Sequence, residues 1–265
     1  MTRATIRAMR VTSKDGVEIH HEVSGDGDTA VVLVHGWMGN VRWWDAQRDA
    51  FAPTHRVVTL DLAGHGASGR TRTAWSAEEY ADDIVAVADA VPAARLVLVG
   101  HSMAGAYALA ACPRLARVAA VILVDTLADL DAIPSLAQVE PLLASYRADY
   151  PAAVASLLPG YLFTALTPPA VAARLTGEFL SVTGDVAATL IEPLYRFDVR
   201  AAARAVDVPV RGIGAATSPD AALRNRQYLR DYAHVALAGY GHYPMLEAPD
   251  AFNAALGAQL VELGL

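Results

Sequence analysis

The chain of 265 residues is 54% hydrophobic, enough for one large α/β domain with its own core and room for an inserted subdomain. A formal net charge of −7 and a pI near 5.6 argue against nucleic acid or an anionic membrane as partner. Cys112 is the only cysteine, so there is no intramolecular disulfide and no cysteine-based metal site.

Met1 to Arg10 lack the apolar core of a signal peptide. Thr5 to Val11 and Val17 to Val23 alternate as two strands around the turn Lys14-Asp15-Gly16. His20 and His21 in the second face opposite sides, so they do not line one site. Ala30 to Val34 and Arg56 to Leu60 are β-branched runs of the kind found in buried parallel strands, and Trp43 to Phe51 between them fits a helix. Ser76 to Glu79 reads as a capping box, opening a helix whose apolar positions Tyr80, Ile84, Val87 and Val91 recur at helical spacing. A strand at Leu96 to Val99, a helix after Ser102 and a strand at Ala119 to Val124 follow. Leu96 to Pro113 carries no charged residue, yet its glycines, His101 and Ser102 mark a buried core element rather than a membrane span. A soluble, cytoplasmic chain without membrane insertion is expected.

From Leu127 to Val206 the rhythm changes. Seven prolines (134, 141, 151, 159, 168, 169 and 193) interrupt an alanine- and leucine-rich stretch that reads as short helices broken by proline. Strands at Val208 to Ile213 and Ala233 to Leu237 and a helix at Ala251 to Leu263 complete the chain. Strands alternating with helices imply a mostly parallel, doubly wound sheet. Residues 1–126 and 207–265 would form the core domain, and 127–206 a helical insertion.

Chemistry concentrates at Gly100-His101-Ser102-Met103-Ala104, where an apolar strand turns sharply into a helix with Ser102 at the apex. Such a turn is strained and tolerates only small residues two before and two after the serine. It exposes the hydroxyl and aims the first helical amides at whatever it attacks. Three further segments fall at strand ends: His35 to Gly39, Asp61 to Ser68, and Gly239 to Pro249.

In this order and spacing, the chain resembles the α/β-hydrolase superfamily over nearly its whole length outside the insertion. The resemblance implies an eight-stranded α/β-hydrolase fold whose insertion after the sixth strand is a helical cap. It implies Ser102 as nucleophile, His242 as base and then acid, and an oxyanion hole from the backbone amides of Trp37 and Met103. Neither metal nor organic cofactor is implied. His35 and His65 would hold loops around the site, and His101 would point away from Ser102.

One member departs from the pattern. Most of the superfamily carries its acid just after the seventh strand, but Gly214-Ala215-Ala216-Thr217-Ser218-Pro219 holds no carboxylate. Asp125, at the tip of the sixth strand, is the expected acid, with Asp220 and then Asp129 as alternatives. Aromatics of the insertion, Tyr161, Phe163 and Tyr195 among them, together with Met38 would enclose an apolar acyl pocket. Arg147, Arg174 and Arg196 would be dispersed in solvent. The expected partner is a small to medium, uncharged ester or lactone cleaved through an acyl-enzyme. A C–C bond hydrolase of the same fold and a low-turnover small-molecule receptor stay open as alternatives.

Overall fold

The computed structural model describes residues 5–215 and 218–265; Met1 to Ala4, Ala216 and Thr217 lie outside the described residues. Eight strands form one sheet: β1 Arg7–Thr12, β2 Glu18–Ser24, β3 Thr29–Val34, β4 Arg56–Leu60, β5 Arg95–His101, β6 Val118–Val124, β7 Val210–Gly214 and β8 Tyr232–Ala236. Their order is β1-β2-β4-β3-β5-β6-β7-β8. β1 pairs antiparallel with β2 and β2 with β4, and β3 to β8 pair with one another in parallel. β3 is buried along its entire length, as is β5 after its first residue. That is why Ala30 to Val34 and Leu96 to Val99 read as unbroken apolar runs: both faces are covered, and the buried polar residues Thr29 and His101 stand at strand ends.

The helices are α1 Asp45–Phe51, α2 Ala77–Ala90, α3 Met103–Ala111, α4 Leu136–Ala148, α5 Tyr150–Leu157, α6 Pro169–Phe179, α7 Gly184–Arg196, α8 Val199–Arg204, α9 Pro219–Asn225, α10 Pro244–Glu247 and α11 Pro249–Glu262. One group, α2, α3 and α8, packs together; α1, α10 and α11 form another. The segment between β6 and β7 contains α4 to α8 and, among the described residues, no strand. Because β3, β5 and β6 lie side by side in parallel, their C-terminal ends emerge together, the place where open α/β sheets gather their functional loops.

The structure revises several local expectations. Trp43 and Trp44 belong to a 3-10 turn, Val41–Trp44, that leads into α1. Ser76 caps α2 by accepting from the Glu79 amide, but the reciprocal half of the capping box is missing and a Glu79 carboxylate oxygen is buried without a partner. Pro141 and Pro193 do not break helices; they sit inside α4 and α7, where packing of the buried face outweighs one lost backbone bond. Arg147, Arg174 and Arg196 are exposed, as expected, and each also pairs with a carboxylate: Arg147 and Arg196 with Glu192, and Arg174 with Glu178. Cys112 is buried, and burial pushes its thiol up to about 11, as inert packing requires.

Candidate active site

Ser102 sits between β5 and α3 with φ 54° and ψ −126°, a conformation few residues other than glycine adopt. The turn is tight because its neighbours are small. A Cβ on Gly100 would lie 2.4 Å from the Ala104 carbonyl oxygen, and one on Gly105 2.4 Å from the Thr126 side chain. The loop after β3 closes on the same point, where a Cβ on Gly36 would stand 2.9 Å from Ser102 Cβ. The Met103 amide opens α3 and the Trp37 amide lies in that loop; among the described residues neither donates to a backbone acceptor. The Met103 amide is an orphan donor of a helix start.

Asp125 ends β6 with φ 44°. Its Oδ2 meets His242 Nδ1 at 2.7 Å, and its Oδ1 accepts from the Ala215 amide at 2.7 Å. Burial alone would raise this carboxyl, but the hydrogen bond and charge of His242, helped by Ala215, hold it below the usual carboxylate range. The end of β7 makes room for it, since a Cβ on Gly214 would lie 2.6 Å from Asp125 Oδ1. Asp220 is exposed in the first turn of α9, and Asp129 is paired with Arg224. Neither bonds His242.

Three more histidines stand behind these groups. His35 accepts from the Leu62 amide through Nε2 at 3.0 Å and donates through Nδ1 to the Gly36 carbonyl at 2.7 Å. Burial, only partly offset by that carbonyl, lowers it to about 4. His65 is lowered to about 3, by burial and then by the nearby His35. His101 lines the same cavity as Ser102 and donates through Nε2 to the His242 carbonyl at 2.7 Å; burial and then His242 lower it to about 3. All three are neutral scaffolding near pH 7.

Ser102 and His242 share a cavity of about 220 Å³ with Trp37, Leu142, Tyr146, Leu157, Phe179, Ile191, Leu194 and Tyr195. No Lys, Arg, Asp or Glu lines it. Of the four side chains expected around the pocket, Tyr195 alone lines it. Tyr161 is 81% exposed, because the turn that carries it faces solvent. Phe163 packs against Tyr243. Met38, in a left-handed conformation, turns to a neighbouring cavity with Gly64 and Arg70. A wider cleft of about 680 Å³ between the Arg70–Trp75 loop and α7 contains neither Ser102 nor His242. The smaller cavity, not the wider cleft, holds the histidine that is hydrogen-bonded to Asp125. The lining residues Ile191, Leu194 and Tyr195 follow i, i+3, i+4 spacing on α7, a signal legible in the sequence. Leu142 and Leu157 carry none.

Residues 31–255 match the model of the alpha/beta hydrolase family. A dihydrolipoyllysine-residue acetyltransferase component of an acetoin cleaving system from Pseudomonas putida is 39% identical over 88 residues, covering 33% of this chain and 24% of that protein. A bifunctional esterase/perhydrolase from Acinetobacter calcoaceticus is 39% identical over 97 residues, 36% of this chain and 35% of that protein. The matched stretch thus spans only a quarter to a third of these curated relatives. Among solved structures, the enol-lactonase from Burkholderia xenovorans superposes with a TM-score of 0.82 at 25% identity, over 96% of this chain and 100% of that one. A thermophilic esterase from Thermogutta terrifontis superposes with a TM-score of 0.83 at 24% identity, over 97% of this chain and 99% of that one, a likeness of fold.

Proposed function

This chain belongs to the alpha/beta hydrolase family, and we propose that it is a serine hydrolase cleaving small to medium, largely apolar carboxylic esters or lactones through an acyl-enzyme. The observation that carries this reading is the 2.7 Å bond between Asp125 Oδ2 and His242 Nδ1, with His242 sharing a cavity with a serine in a strained turn. Asp125 fixes the imidazole tautomer with its proton on Nδ1, leaving Nε2 as the base. The Ser102 hydroxyl gives its proton to His242 as Oγ attacks the carbonyl carbon. The oxygen that becomes negative takes hydrogen bonds from the Met103 and Trp37 amides, preorganised donors worth about 3 kcal/mol each in such sites. Collapse expels the alcohol, protonated by His242. Water, deprotonated by the same imidazole, then releases the acid and restores Ser102.

Residues 127–206 act in this reading as a cap. Eight of its residues (Leu142, Tyr146, Leu157, Leu162, Phe179, Ile191, Leu194 and Tyr195) line the cavity. A chamber of about 220 Å³ falls below the usual range for drug-sized ligands, which favours short acyl groups. The uncharged lining leaves a substrate carboxylate unpaired and so disfavours anionic esters. The enol-lactonase among the similar structures supports including lactones.

Treatment with a fluorophosphonate and peptide mass spectrometry tests the reading. A single adduct on Ser102, absent from Ser102→Ala, with p-nitrophenyl acetate or butyrate hydrolysed faster than the decanoate, is the expected result. A folded protein that takes no adduct overturns it.

A further inference from the structure

Thr164 and Thr167 of the insertion bond the Gly239 carbonyl and the Glu247 carboxylate. Three further hydrogen bonds between the insertion and the loops of the site involve the His242 amide, Trp37 and Trp43. The His242 amide donates to the Leu162 carbonyl at 2.9 Å, and the Trp37 indole N–H donates to the Ala187 carbonyl at 2.9 Å. In the third, the Trp43 indole N–H donates to Glu178 Oε2, on α6, at 2.7 Å. Of these three, only the last uses a side-chain acceptor. Glu178 Oε1 also accepts from Asn40 Nδ2 at 3.4 Å and from Arg174 Nε at 3.0 Å.

Trp43 is fully buried, and its ring is a shared wall. His35, His101 and Tyr243 each meet it edge-on, at centroid distances of 6.4, 5.8 and 5.4 Å. Each belongs to a different part of the site. His35 holds the Gly36 carbonyl, next to the Trp37 amide. His101 holds the His242 carbonyl, and Tyr243 follows His242 in the chain. The oxyanion loop leans on the same indole, since a Cβ on Gly39 would lie 2.8 Å from it. A shift or tilt of this ring would therefore move the oxyanion donor and the base together. An edge-on aromatic pair does not fix rotation about its contact; a buried N–H with one acceptor does.

We propose that Glu178 is a positioning residue for the reaction: by accepting from Trp43 it sets the indole against which the oxyanion loop and the His242 loop are both registered. The proposal rests on the serine-hydrolase reading. A 1 Å misplacement of reacting groups can cost up to about a hundredfold, so an indole released from its acceptor should show as a fall in turnover rather than in binding.

The experiment measures the rate of fluorophosphonate labelling of Ser102, and kcat and KM on p-nitrophenyl acetate, in the intact wild type and variants. Glu178→Ala is expected to lower the labelling rate and kcat by about tenfold with KM nearly unchanged. Glu178→Gln keeps a carbonyl acceptor and should stay close to wild type. Trp43→Phe, which keeps a ring and loses the donor, should match Glu178→Ala and serves if that variant does not fold. The double variant should be no slower than either single one, since both delete the same bond. Arg174→Ala, which removes only the outer ion pair, should leave all rates unchanged. Wild-type rates in folded Glu178→Ala, an equal loss in Glu178→Gln, or additive losses in the double variant overturn the positioning role. A wild type that takes no label overturns the serine-hydrolase reading instead, and this proposal with it.

Discussion

The strand-end loops and the insertion above them are built by different physics. The loops are tied together by buried side chains that bridge backbone groups of different segments. Asp61 accepts from the Val41 and Ala67 amides at 2.7 and 2.8 Å, His35 bridges Leu62 and Gly36, and Asp125 bridges Ala215 and His242. The insertion is held by apolar packing and a few hydrogen bonds. It leaves Leu142, Tyr161, Leu166, Leu180 and Val186 exposed. What the contrast teaches is a division of labour: the loops carry strain and charge, which need a stiff frame, while the insertion shapes the space and tolerates looser packing.

Substitutions can break that division, starting with the largest effect. Ser102→Ala should abolish turnover, a loss of about 10⁶-fold in such systems, without unfolding the chain. Ser102→Gly should be as inactive yet more stable, by about 1 kcal/mol or more, because glycine carries no penalty at φ 54°. Calorimetry on both variants checks this; equal melting temperatures would mean the turn stores no strain.

Asp125→Asn should lower kcat by about 10⁴-fold with the fold intact, as expected when the base loses its tautomer control. Asp220→Asn should change nothing measurable. Steady-state kinetics on the pair decides the acid, and the reverse pattern would reassign it.

Acid should strike the strand-end loops first. His35, His65 and His101 have folded-state values of about 4, 3 and 3 against an ordinary 6.5. The unfolded chain therefore binds more protons below pH 6.5, and stability falls as pH drops toward 4 and 3. The loss is about 1.4 kcal/mol per pH unit for each histidine. Asp125, held low, adds a loss in the same direction below its unfolded value of 3.8. The insertion contains no histidine. Urea titrations at pH 7, 6 and 5 should show decreasing stability, and a flat profile would contradict the buried, neutral state of the three rings.

The smallest effect belongs to the insertion. Ile191, 7% exposed on α7, lines the cavity with Leu194 and Tyr195. Ile191→Ala should cost about 2 kcal/mol and shift the preferred acyl chain toward longer esters while acetate turnover changes little. A chain-length profile identical to wild type would separate the insertion from substrate choice.

Much of this molecule is written locally. Strand positions came from unbroken β-branched runs such as Ala30 to Val34, because full burial excludes polar residues there. The Ser102 turn was legible because strain and crowding at Gly100 and Ala104 restrict which residues fit. Asp125 was legible as the carboxylate that meets His242, at the tip of the strand next to β5, once the stretch after β7 offered no carboxylate before Asp220. The insertion was legible as helical but not in detail, since a proline such as Pro141 breaks a helix only where packing does not compensate.

What tertiary structure alone decided are the relations between distant segments. Gly214 leaves the space that the Asp125 carboxylate occupies, Tyr161 faces solvent while Tyr195 faces Ser102, and Glu178 on α6 meets Trp43 across 135 positions. Local sequence fixes propensity, strain and burial tendency, all of which depend on near neighbours. Which side chain meets which across the sheet depends on how whole elements pack, and no short stretch of residues contains that.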